Sequence, residues 1–389
     1  MSAGKLIFSQ LTDWIHPEQF RRCVNRYDGN RKVYNFPCWD QFLAMTFAQV
    51  TYRDSLADIE VCLRSRQDLL FRMGFRSAVA HSTLADANRS RDWRIYADLA
   101  HSLITRARRL YANEPMGVEL AQTVYALDST TIDLCLTLFP WARFRSTKAA
   151  IKLHTLLDLR GPIPTLISVS EGKQADVRIL DELILEPGAF YIMDRGYVDF
   201  ERLHQFVLAG AFFVTRAKAG VRLSRLESLP VNPSVGVRSD QVVWLSLPRS
   251  IERYPDRLRR VSYKDPESGK GLVFLTNNFD LPALTIAQLY KCRWQVELFF
   301  KWIKQNLRIK HFFGTSDNAV KTQIWIAICL YVLAAIARKQ LALEVSLSHL
   351  LQILSVNVFE QIPLPELVAK TQTQNEPPDS CNQLMLFNI

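Results

Sequence analysis

Apolar residues change their spacing several times along the chain, and the changes divide it. Up to about residue 112 they recur every three or four positions, as in residues 39–50 (WDQFLAMTFAQV) and 93–110, and glycine and proline are scarce. Such spacing lines one side of a helix with apolar groups and predicts an all-helical segment. From 122 to about 217 the pattern shortens. TVYALDST, KLHTLLDL, IPTLISVS, AFYIMDRG and AFFVTRAK are brief runs rich in Val, Ile, Thr, Tyr and Phe, bounded by turn residues. They predict strands. Residues 176–185 and 199–208, between them, keep helical spacing. Three strands, a helix, a strand, a helix and a strand make a mixed α/β sheet.

Residues 221–280 hold five prolines and the strand-like runs QVVWLSL, RLRRVSY and GLVFLTNN, which predict a small β-rich insertion. One long helical pattern follows over 284–310, then an apolar helix over 324–339. Residues 371–389 are polar, contain two prolines and predict a loose tail. The expected domains are a helical one at 1–112, the first part of the core at 113–220, the insertion at 221–280, the second part of the core at 281–345, and a C-terminal helix with its tail at 346–389.

Composition narrows the classes. Of 389 residues, 48% are hydrophobic and 22% charged, which provides a core and excludes a disordered, collagenous or rod-like chain. The net charge of +10 points to a polyanion as partner. Of it, +6 falls in the first 112 residues, in arginine clusters at 21–22, 64/66, 89/91/94 and 106/108/109. A solvated helix face accounts for those clusters as well as DNA contact does. The seven cysteines are scattered without a CxxC pair, so neither a disulfide framework nor a zinc site is expected, and a reducing cytosol is. The apolar run at 324–336 falls short of the roughly 18–20 residues that cross a bilayer. It predicts a buried helix and no membrane partner.

The 284–310 helix carries the first chemical signal. At 100° per residue, Tyr290, Arg293, Glu297, Lys301, Lys304 and Arg308 fall on one stripe about 80° wide. Leu289, Val296, Phe299, Phe300 and Ile303 fall on the opposite, core-facing arc. Several cations around one carboxylate suit a phosphate-gripping surface. An ordinary solvated face remains the alternative. Two aspartates stand where apolar strands end: Asp128 after TVYAL and Asp194 after AFYIM. Acids at the carboxyl edge of a sheet present ligands there, although each also suits a turn or helix cap. Together the three carboxylates suit a pair of Mg²⁺ or Mn²⁺ ions with substrate phosphate completing the shells; no His or Cys stands at ligand spacing.

These residues resemble the catalytic acids of DDE transposases. Tyr290, two residues, Arg293, three residues, Glu297, six residues and Lys304 match the Y-R-E-K signature of the insertion-sequence branch usually called the IS-four family. The segment IMDRGY resembles the surroundings of that branch's second aspartate. The resemblance covers about 122–340, and residues 1–112 resemble the DNA-binding domain often found ahead of such a core.

The resemblance implies a ribonuclease-H-like α/β core: a mixed five-stranded sheet with flanking helices, the β-rich insertion before the glutamate helix, and an all-helical N-terminal domain. It implies Asp128, Asp194 and Glu297 as catalytic acids that hold a pair of Mg²⁺ or Mn²⁺ ions. It further implies cleavage at the ends of the protein's own element, joining of 3′-hydroxyl ends to target DNA, and a hairpin intermediate. The partners implied are terminal inverted repeats, target DNA and a second copy, in a bacterial cytoplasm and on its nucleoid. Arg293, Lys301, Lys304 and Arg308 would contact phosphates, and Tyr290 would hydrogen-bond one. Trp294 would stack on a displaced base, or else pack at the core rim. Arg143, Arg145, Lys148 and Lys152 form a candidate DNA-facing group, and Arg257, Arg259 and Arg260 another, with surface solvation the alternative for the second. His154 and His204 are expected to pack or bond locally. A nuclease that cuts without joining, and a catalytically inactive DNA-binding regulator, remain the alternatives.

Overall fold

The computed structural model describes residues 4–306 and 312–373. The chain opens with α1 (Ile7–Thr12), α2 (Pro17–Arg26), α3 (Cys38–Val50), α4 (Leu56–Arg64), α5 (Leu70–Met73), α6 (His81–Ser90) and α7 (Arg94–Tyr111). Strands β1 (Val124–Leu134), β2 (Arg143–Arg145), β3 (Lys148–Asp158), β4 (Ile163–Glu171) and β5 (Phe190–Met193) follow, then α8 (Phe200–Leu208) and β6 (Phe212–Arg216). Next come β7 (Leu223–Leu229), β8 (Val237–Leu245), α9 (Pro248–Arg253), β9 (Leu258–Lys264) and β10 (Gly271–Thr276). The chain continues through α10 (Ala283–Cys292), α11 (Trp294–Asn306), α12 (Asp317–Gln340), α13 (Leu347–Asn357) and α14 (Leu364–Thr373).

Among the described residues, those up to Leu103 and from Asn318 onward, with 306 and 312–314, form one compact unit. Ile104–Gln305 and Thr315–Asp317 form the other. The first is helical. Helix α3 is buried nearly all round, including Phe42, Leu43, Met45 and Phe47, so it is a core helix rather than a surface one. Helix α12 is the apolar helix expected at 324–339, and it is longer than its apolar run. By length and composition it would cross a membrane, but 94% of its apolar window is buried within the protein. The start of α1 meets the segment between α13 and α14: Ile7 N–H donates to Glu360 O at 2.8 Å and Phe8 N–H to Val358 O at 3.1 Å. Gln10 ties the same place, giving its amide to Ile362 O and accepting from Leu364 N–H. Of the expected tail, 371–373 complete α14 and 374–389 lie outside the described residues.

The second unit is built on a ten-stranded sheet in the order β3-β1-β5-β6-β10-β9-β8-β7, with β2 and β4 both paired to β3. Strands β4, β3 and β1 run antiparallel, while β1, β5 and β6 run parallel. That is the mixed α/β sheet expected. The β-rich insertion joins that sheet. Its strand β10 pairs antiparallel with β6, so β7–β10 continue the same sheet rather than stopping it at five strands. Free strand edges are pairing surfaces, and the insertion covers this one.

Two expected helices also differ. Residues 176–182 form a 3₁₀ segment rather than an α-helix. The single pattern expected over 284–310 is two helices as far as Asn306, α10 and α11, which meet at Arg293; 307–310 lie outside the described residues. There Arg293 N–H bonds Tyr290 O and Val296 N–H bonds Arg293 O, the three-residue bonds of a tight turn. Helix α8 packs Leu203 and Phe206 against Phe213 and Tyr191 on one face of the sheet. Tyr290 of α10 packs on Phe274, ring centroids 4.8 Å apart. Phe274 lies opposite Arg216, one residue off the alternation of Phe213, so α10 covers the other face.

Candidate active site

The parallel pairing of β1 with β5 ends at Leu127 and Met193. Asp128 and Asp194 are the next residue on each chain segment, about 5 Å apart in backbone terms because neighbouring strands are so spaced. Asp128 does not end its strand. The β-branched run after it stays paired with β3 as far as Leu134, so the aspartate sits mid-strand and caps no turn. Asp194 precedes the short turn Arg195–Tyr197 but makes no side-chain cap bond there. Its carboxylate instead accepts from Tyr290 O–H at 3.1 Å, and its carbonyl accepts from Thr215 Oγ1 at 3.2 Å.

Arg293 reaches the other two acids. Its Nη1 donates to Asp128 Oδ2 at 2.8 Å and its Nη2 to Glu297 Oε1 at 2.5 Å. Asp128 also accepts from Ser129 N–H at 2.8 Å. The break between α10 and α11 places this guanidinium between strand and helix, its Cζ 5.7 Å from the Tyr290 ring centroid. Tyr290, Arg293 and Glu297 thus converge on Asp128 and Asp194.

The charges perturb one another. Burial pushes the Asp128 carboxyl above its ordinary value; the Ser129 N–H and Arg293 pull it back, and Glu297 and Asp194 push it further up. Burial and the neighbouring Asp194 push the Tyr290 phenol up to about 12, so it stays a hydrogen-bond donor. Burial opposes the charge on Arg293, yet Glu297, Tyr290 and Asp128 hold its pKa above the ordinary arginine value. Among the described residues no three His, Cys, Asp or Glu side chains stand close enough together to hold one metal ion. Asp128 and Glu297, expected as metal ligands, accept from Arg293, and Asp194 accepts from Tyr290.

Behind Asp128 lies a polar cluster that the sequence reading missed. Asp176 accepts from Ser129 Oγ at 2.7 Å and from Lys152 Nζ at 3.0 Å; Lys152 also donates to Gln174 O at 2.8 Å. His154 bonds Ser170 through Nε2 at 2.8 Å. Ser129 faces His154 across one strand pair, and Lys152 faces Ser170 across the next. That polar row on otherwise apolar strands was the available signal. Lys152 is therefore tied to Asp176 and Gln174, with its side chain 14% exposed. Arg259 of the second basic group is likewise buried, paired with Asp240. Both histidines bond locally, His204 to Asp256 at 3.0 Å.

Other expected contact residues lie on the surface. Trp294 is 58% exposed, so it is not a core residue. Lys301 is exposed, and Lys304 donates to Thr131 O on β1 at 3.0 Å. Arg143, Arg145 and Lys148 are exposed around the β2–β3 turn. Arg308 lies outside the described residues.

The family model described as "Transposase DDE domain" matches residues 119–333, more than half the chain. This chain belongs to the DDE transposase family. A protein named as a transposase, y4zB of Sinorhizobium fredii, is 34% identical over 260 residues, covering 66% of this chain and 71% of that one. A relative named for insertion sequence element IS5377 of Geobacillus stearothermophilus is 33% identical over 209 residues, covering 53% of this chain and 54% of its own length. Another, named for insertion sequence element IS4SA of Synechocystis, is 24% identical over 320 residues, covering 81% and 87%. A piggyBac transposase synaptic complex with hairpin DNA is a solved structure similar at TM-score 0.44 and 12% identity, over 96% of this chain and 82% of that one. The DDE domain spans β1 to β10 and both helices that meet at Arg293, so the three acids all fall inside it. A domain of unknown function, DUF4372, matches residues 3–76 of the helical segment.

Proposed function

We propose that this DDE transposase is of the insertion-sequence branch with the Y-R-E-K signature, that Asp128, Asp194 and Glu297 are its catalytic acids, and that it cuts at the ends of its own element and joins 3′-hydroxyl ends to target DNA. One observation carries the reading. Residues from a single short motif, Tyr290, Arg293 and Glu297, meet two aspartates that follow the paired ends of adjacent parallel strands. Core packing gives no reason to gather three acids there.

Three carboxylates with no sulfur or imidazole among them suit a hard divalent cation such as Mg²⁺ or Mn²⁺. Asp128, Asp194 and Glu297 would hold it, and when bound it supplies a Lewis acid at phosphorus and a lowered pKa for the attacking water or 3′-hydroxyl. Lys301 and Lys304, one and two turns beyond Glu297, bind phosphates flanking the scissile bond and fix its register. Exposed Trp294 offers a stacking face to a base displaced during a hairpin step. Arg143, Arg145 and Lys148 extend the backbone contacts. The helical segment 1–112 grips the terminal repeats, two or more copies pair the ends, and the work is done in the bacterial cytoplasm on the nucleoid.

Glu297→Gln tests the assignment. Mg²⁺-dependent cleavage of a duplex carrying the terminal inverted repeats should vanish, while gel-shift binding to that duplex persists. Undiminished cleavage would overturn the role of Glu297. Pre-cut ends that the parent protein fails to join would favour a nuclease, and a parent that binds without cutting would favour a regulator.

A further inference from the structure

We propose that Arg293 is a built-in counter-cation, which stands in the metal's place between Asp128 and Glu297 until DNA arrives and then moves to a substrate phosphate. The inference rests on reading those carboxylates as metal ligands, and it accounts for the guanidinium that bridges two of them. Asp128 and Glu297 face each other across the guanidinium, at 2.8 and 2.5 Å from its two terminal nitrogens. A divalent ion ligated by both acids at its ordinary distances of about 2.0–2.1 Å for Mg²⁺ would have to take that space. Two cations cannot share it, so one must leave.

Arg293 is placed to leave. Its Nε is buried and makes no hydrogen bond among the described residues, so its seat is incomplete. It sits at the single-residue break between α10 and α11 rather than within a helix. A planar guanidinium fork donates to a phosphate as readily as to two carboxylates. Once displaced, Arg293 needs an anion, and DNA supplies one. Metal and DNA then favour each other's binding, and the coupling is reciprocal. Free protein meets metal with a positive charge already placed between Asp128 and Glu297, which keeps an armed site from forming before the substrate is in place.

The test uses the full chain, Mn²⁺ as probe and no DNA, with binding followed by electron paramagnetic resonance. Arg293→Gln should bind Mn²⁺ about tenfold more tightly than the parent, within the usual range of such couplings. Its melting temperature should also rise more on adding Mn²⁺. Tyr290→Phe removes the bond to Asp194 but no charge, and should leave Mn²⁺ affinity nearly unchanged. Equal affinity in parent and Arg293→Gln overturns the exchange, as does equal tightening in Tyr290→Phe, which would mark simple loosening. Should Arg293→Gln fail to fold, Arg293→Lys serves: a point charge cannot span both acids, so affinity should still rise, and no rise overturns the exchange. Loss of cleavage in Glu297→Gln beside an unchanged Arg293→Gln affinity sinks the exchange alone. Mn²⁺ binding that survives intact in both Asp128→Asn and Glu297→Gln sinks the catalytic reading beneath it.

Discussion

Two arginine–carboxylate arrangements in the same unit, one buried and one half-buried, differ in what each leaves over. Arg259 on β9 meets Asp240 on β8 side-on, Nε to Oδ1 at 2.9 Å and Nη2 to Oδ2 at 2.7 Å. Its Nη1 donates to Asn278 O and Leu281 O at 3.3 and 2.6 Å. Both side chains are 4% exposed. Arg293 divides its fork between two acids, keeps an unbonded Nε, and faces a Glu297 that is 41% exposed. In the first pair every guanidinium nitrogen is bonded, and the pair acts as a strut across the insertion. The second has capacity, and neighbours that want a cation of some kind. The same residue types serve structure in one place and exchange in the other.

The sharpest way to break this contrast is to cut the strut. Arg259→Ala should lower stability by about 3–5 kcal/mol, because Asp240 is left as an uncompensated buried charge. Urea denaturation measures it, and a loss under about 1 kcal/mol would deny the pair its structural role. Replacing both partners, Arg259→Met with Asp240→Leu, should return stability to within about 2 kcal/mol of the parent, since an apolar pair needs no partner.

Asp128→Asn should do far less, changing neutral-pH stability by no more than about 1 kcal/mol. Its sign follows from the direction of the shift. Burial holds the folded carboxyl above its unfolded value, so folding favours the proton. This group therefore adds stability as pH falls through its folded pKa toward the unfolded one, and withholds it above. Subtracting the Asp128→Asn pH profile from the parent's should expose that rise. A variant as crippled as Arg259→Ala would erase the distinction between the two pairs. The smallest effect is in salt dependence. Arg293→Gln should flatten the plot of log binding constant against log salt by about 0.9 of a unit, the share of one phosphate contact. The folded Arg259→Met, Asp240→Leu protein should keep the parent's slope. An unchanged slope for Arg293→Gln would mean the arginine never reaches phosphate.

The acids were readable because chemistry and spacing coincide: an acid after each of two apolar runs, and a third on a helix with Tyr290, Arg293 and Lys304 at fixed intervals. What stayed hidden was set by tertiary contact. Nothing in Lys291-Cys292-Arg293-Trp294 signals a helix break, as no glycine or proline is present; the side chain's two carboxylate partners lie elsewhere in the chain or a turn away. Arg259 and Lys152 read as surface cations because the acids that bury them, Asp240 and Asp176, are 19 and 24 residues distant. The continuous sheet was also out of reach, since strand runs at 221–280 do not say which edge they join. Asp128 looked like a strand end because the apolar run stops there, whereas the Thr-Thr-Ile stretch beyond it pairs with β3.

The break at Arg293 has an electrostatic consequence of its own. A helix that begins at Trp294 carries roughly half a positive charge at its amino end. Glu297 lies in the first turn of that helix. In an unbroken helix from Ala283 the same glutamate would sit mid-way along, where backbone dipoles cancel. The kink thus gives the carboxylate a backbone field that no ligand can displace, beside a side-chain charge that one can.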